Sequence, residues 1–196
     1  NQNKQWCPLF LKWALQFFHG PEIVGAFVVV SQLAVYPLIF GSGFLSTLIV
    51  PVAYERAGDL TQRQKVMSAY KLLAAISAAY ILGVIILMWL YFMFHHSLVL
   101  LISNICFARF SYLLPGLTLA WGFFYLGVVL ASFGLLANKP QSYILPKLVS
   151  SIVAGVCTFY LSATIGPNGV VWGLVLAGFI YALWCARIAW KLVKYL

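Results

Sequence analysis

Only three acids, Glu22, Glu55 and Asp59, stand in 196 residues, and all three fall near the ends of apolar blocks. Acid–base catalysis wants a carboxylate or histidine held within hydrogen-bond reach of a reacting group, and none of these acids has a partner at a useful spacing. The pair His95-His96 lacks the acidic or cysteine ligand that would complete a metal site, so it reads as interfacial histidines at a helix end. Cys7, Cys106, Cys157 and Cys185 are too far apart for a metal or redox motif, and read as small packing or lipid-facing residues. No HExxH, GxSxG or phosphate loop occurs. The chain is therefore expected to be no enzyme, with no catalytic residue, no metal and no bound cofactor.

Polar residues inside apolar blocks carry more information, because they are costly in lipid and face protein or water. Gln32 and Tyr36 are four apart and share a helical face. Two readings stand: they line a polar cavity, or Gln32 makes a hydrogen bond to a neighbouring span. Thr118, Trp121 and Tyr125 recur at three and four residues and form one stripe, which either stacks on sugar rings or serves packing. Arg109 and Lys147 are the basic residues nearest to membrane depth. Each is placed to pair a phosphate or to snorkel to the headgroups.

The elements that position these residues are apolar throughout. The chain is 64% hydrophobic and 8% charged, against about 45–50% and about 25% in soluble domains. Such a surface excludes a soluble globule, and a mean hydropathy of +0.99 excludes disorder. The fold class is all-α, a polytopic membrane bundle, since no strand alternation long enough for a barrel is present. A span needs about 20 apolar residues, and five blocks qualify, at about 23–52, 67–94, 113–136, 143–163 and 170–192. Pro37, Gly41 and Gly43 predict a kink in the first. Residues 98–106 make only half a span and predict an interfacial or re-entrant turn. Gly166-Pro167-Asn168-Gly169 predicts a turn before the last block. Residues 7–18 are apolar but too short to span; with no initiator Met and no signal peptide, the chain is expected to be a piece whose natural start lies upstream.

The net charge of +9 lies in short clusters between apolar blocks, a pattern that points to membrane lipid and away from nucleic acid. Nine of the twelve basic residues, Arg56, Arg63, Lys65, Lys71, Lys139, Lys147, Arg187, Lys191 and Lys194, fall on one side of the predicted bundle. That side, and with it the C-terminus, is expected to be cytoplasmic. Arg109, with Lys4 and Lys12, belongs to the opposite side.

Four stretches, in order, resemble the C-terminal half of the polysaccharide (lipid-linked oligosaccharide, O-antigen) flippases of the multidrug/oligosaccharidyl-lipid/polysaccharide exporter superfamily. They are Leu11-Lys12-Trp13-Ala14-Leu15-Gln16-Phe17-Phe18 with Val24-Gly25-Ala26-Phe27; Pro51-Val52-Ala53-Tyr54-Glu55-Arg56-Ala57-Gly58-Asp59; Leu114-Pro115-Gly116; and Pro146-Lys147 with Gly166-Pro167-Asn168-Gly169-Val170-Val171. Nearly the whole chain is covered, and it is the order and spacing of the stretches that make the likeness specific. Leu11 is a departure, standing where related sequences often carry an acid before the basic–Trp pair.

The resemblance implies a transporter of two six-helix bundles in a bacterial inner membrane, of which this chain would be the second. It would move polyprenyl-pyrophosphate-linked glycan (O-antigen, capsule or exopolysaccharide precursor) between leaflets by alternating access. Its partners would be membrane lipids, the missing N-terminal half or a second copy, and a proton or sodium gradient. Arg56, Arg109 and Lys147 would be cavity or gate charges, with Gln32, Tyr36, Trp121 and Tyr125 along the substrate path. Two other readings remain: a multidrug cation antiporter of the same superfamily, disfavoured by the lack of an acid deep in any span, and a non-transport membrane scaffold.

Overall fold

The computed structural model describes residues 13, 15–58, 62–103 and 105–194, and these are all-α. Five long helices carry the fold: α1 (Pro21–Ala57), α2 (Arg63–Ile102), α3 (Leu114–Leu136), α4 (Ile144–Ile165) and α5 (Pro167–Lys194). A single helical turn at Ile105–Ala108 and a 3₁₀ turn at Ser111–Leu113 join α2 to α3, and a 3₁₀ turn at Pro140–Tyr143 joins α3 to α4. All five long helices are long and apolar enough to cross a bilayer, so the protein is a multi-pass helical membrane bundle.

Local chemistry sets the ends. Pro21 opens α1 and Pro115 lies in the first turn of α3, where a missing N–H costs nothing. Gly58 and Gly166 follow α1 and α4 with φ of 57° and 73°, a conformation that side chains with a Cβ rarely adopt. Gly166 alone links α4 to α5. Pro167, Asn168 and Gly169 form the first turn of α5 and are not a separate turn as the breaker run predicts.

α1 stays helical through Pro37 and Pro51 as one element of 37 residues. One further expectation changes. Residues 98–102, expected in an interfacial turn, prolong α2 to 40 residues, because His95, His96 and Ser97 are polar without being helix breakers. At about 1.5 Å per residue, α1 and α2 are about 55 and 60 Å long, well beyond a hydrocarbon core of about 30 Å. Both must tilt or project. Cys7, Leu11, Lys4, Lys12 and Asp59 lie outside the described residues, as does the side chain of Cys106.

α3 is the hub, packed against α1, α2 and α5, while α4 packs against α5. In the most apolar stretch of each helix, 56% of α3 and of α5 is buried, against 33% of α1 and 22% of α2 and α4. Successive helices run up and down. The end of α1, start of α2, end of α3, start of α4 and end of α5 therefore gather at one end, with Tyr70 and Phe133 rings 5.6 Å apart there. This end holds the basic cluster. At the opposite end, Phe18 lies 5.2 Å from Phe159 and His95 Nδ1 lies 2.8 Å from Ser111 Oγ.

Candidate functional site

The rotation of α1 decides which of its polar residues can meet a ligand. Two hydrogen bonds set that rotation, on either side of Gln32. Trp121 Nε1 of α3 donates to Ser31 Oγ at 3.4 Å, and Tyr91 Oη of α2 donates to the Leu33 carbonyl at 3.1 Å. Ala26, Phe27, Val30, Ala34, Val35 and Leu38 are thereby turned into the bundle. Gln32 is turned out and exposed, as is Tyr36 one turn on. The alternative of a Gln32 bond to a neighbouring span is not realised among the described residues.

Tyr36 begins a longer stripe. Phe40, Phe44 and Thr47 follow on the same face, exposed, with the Phe40 and Phe44 rings stacked at 6.4 Å. From Gln32 to Thr47 the stripe spans about 22 Å of helix, most of the hydrocarbon thickness. Sequence reading found the first pair and missed the rest. The signal was present as a four-residue repeat, but apolar Phe40 and Phe44 do not stand out in an apolar helix.

The second sequence-derived group behaves differently. Trp121 is 9% exposed and held by Ser31, Phe124 and Tyr125, with ring centroids at 6.0 and 6.4 Å. Thr118 is fully buried and donates to the Leu114 carbonyl of its own helix at 2.8 Å. Tyr125 is half-buried. The stripe thus serves α1–α3 packing, and only one edge of Trp121 reaches open space. That space is a shallow, open cleft between α3, α4 and α5, lined by Ala120, Trp121 and Phe124, Ser151 and Ala154, and Gly178 among others.

The charged candidates are spread out. Arg56 is exposed in the last turn of α1 and Lys147 is exposed in the first turn of α4, both at the basic end. Arg109 is exposed just before the 3₁₀ turn at the opposite end. No group of three or more His, Cys, Asp or Glu side chains that could hold a metal occurs among the described residues. Cys157 and Cys185 are free thiols, half-buried and buried.

Such an arrangement defines a class: an all-helical, multi-pass membrane bundle with a polar–aromatic face on one long helix and cations at both ends. No protein-family model, no curated protein and no solved structure matches the chain.

Proposed function

We propose that the chain is the C-terminal bundle of a lipid-linked oligosaccharide flippase of a bacterial inner membrane. The α1 face carries this reading. A glutamine, a tyrosine, two phenylalanines and a threonine run exposed along about 22 Å of a spanning helix. Against lipid, Gln32 would be costly. Against a glycan, aromatic faces stack on sugar rings while Gln32, Tyr36 and Thr47 exchange hydrogen bonds with hydroxyls. Arg56 and Arg109 supply a cation at each end, where a pyrophosphate enters and leaves. Moving a preformed lipid-linked glycan breaks no covalent bond, which agrees with the absence of a catalytic constellation in the sequence. Alternating access in this reading needs a second bundle, from the same chain or from another copy, facing α1. Coupling to a proton or sodium gradient, and the cytoplasmic placement of the basic end, belong to the same proposal.

The test is genetic. In the organism that makes this protein, the double variant Gln32→Leu/Tyr36→Leu should lower surface polysaccharide at least tenfold while membrane levels stay normal. Arg109→Ala should lower it less. Wild-type polysaccharide in the double variant, at wild-type protein level, would sink the reading. A reporter fused after Leu196 should report the cytoplasm, and a periplasmic signal would reverse the orientation.

A further inference from the structure

The cleft between α3, α4 and α5 is a gap in the packing with a chemical gradient along it. It exists because α4 rests on α5 through a row of residues four apart, Pro146, Ser150, Ala154, Thr158 and Ser162, all buried. No comparable packing joins α4 to α3, so the two stand apart with α5 as the floor.

The lining has few polar side-chain atoms, and their hydrogens are already donated. Ser150 Oγ and Ser151 Oγ both donate to the Lys147 carbonyl, at 3.0 and 2.8 Å. Trp121 Nε1 is turned away to Ser31. What remains toward the cleft is hydrocarbon and ring: Ala120, Phe124, Ala154, Leu174 and Ala177. A sugar would find no free donor here and only the Ser150 and Ser151 hydroxyl oxygens as acceptors, whereas an alkyl chain needs neither.

The basic end adds a charge. Lys147 is exposed and stands one turn before Ser151 on the same helix face. It lies about 5 Å along α4 from the helix start, and Ser151 about 10 Å along. In a bilayer crossed by α4, Lys147 would reach headgroup depth, with the cleft toward the acyl chains below it.

We propose that this cleft is a binding site for one anionic phospholipid, an acyl chain lying against Trp121 and Phe124 and the phosphate held by Lys147. The site is separate from the α1 face and does not rest on the transport reading.

Native mass spectrometry of the full chain, purified from its own membranes and presented with phosphatidylglycerol or phosphatidylcholine, tests it. One phosphatidylglycerol should be retained about fivefold better than phosphatidylcholine, the scale expected for one basic residue near a headgroup. Lys147→Gln should erase that preference, and Lys147→Arg should keep it. Ser151→Phe, at an exposed position on the cleft wall, should fill the space and abolish retention of both lipids. Lys65→Gln, exposed on α2, should leave retention unchanged. Equal retention of the two lipids by the wild type, or full retention by a folded Ser151→Phe protein, overturns the proposal. So does displacement of phosphatidylglycerol by equimolar undecaprenyl phosphate, which would make the occupant a polyprenyl carrier.

Discussion

The α3–α5 seam and the outer face of α1 are both apolar, both rich in aromatic and small residues, and built in opposite ways. In the seam, glycines are occupied. A Cβ on Gly127 would collide with the Tyr181 ring, and one on Gly178 would lie 2.7 Å from the Ala120 carbonyl oxygen. On α1, Gly25, Gly41 and Gly43 have nothing within 4 Å of where a Cβ would be. The same residue type thus marks close helix approach in one place and open space in the other. Lipid tails are as apolar as leucine, so helices in a bilayer gain by close fit more than by hiding hydrocarbon. Where the fit is made, the helices lie in close contact. Where it is not made, a face is left for something else.

The strongest way to break this contrast is to put a side chain into the seam. Gly127→Val should destabilise by about 3 kcal/mol or more, because Tyr181 is 3% exposed and stacked on Phe124 at 5.3 Å, with no room to swing away. Thermal unfolding in detergent, followed by size-exclusion fluorescence, reads this directly; a wild-type midpoint would mean the seam is looser than its geometry. Gly178→Ala should cost about 1–3 kcal/mol by the same measurement, since the obstacle is backbone.

A smaller effect separates satisfied from unsatisfied tyrosines. Tyr143 Oη is buried and has no partner among the described residues, whereas Tyr91 Oη holds the Leu33 carbonyl. Tyr143→Phe should raise stability by up to about 1 kcal/mol, and Tyr91→Phe should lower it by about 0.6 kcal/mol. Both variants shifting in the same direction would contradict the assignment. The smallest effect belongs to the open face. Gly43→Ala should leave the midpoint unchanged or raise stability by less than about 1 kcal/mol, through helix propensity alone. A loss comparable to that of Gly178→Ala would show that another surface already lies against α1.

Much of the architecture was legible beforehand. The five spans of 23–52, 67–94, 113–136, 143–163 and 170–192 correspond to the five long helices, because backbone satisfaction in lipid forces a long apolar block into a helix whatever its neighbours do. The errors lie where that rule is silent: the extension of α2 to Ile102 depends on the absence of a breaker, and the inclusion of Pro167–Gly169 in α5 depends on a proline's preference for a first turn. The site was less legible. Gln32 and Tyr36 were identifiable as one face, but not as the outward face. Trp121 and Tyr125 shared a stripe, but nothing in their spacing placed Trp121 against Ser31.

The sequence by itself determined the class of this molecule, the number of its spans and the clustering of its cations. Each follows from composition or from local hydrogen bonding. Only the tertiary structure decided which side of α1 is exposed, which glycines are filled, and that α3 and α4 stand apart over α5. In a soluble helix, water selects the polar side and writes the answer into the pattern. In a membrane helix, lipid and protein are alike apolar, so the side that meets each is fixed by fit, and fit exists only once the helices are together.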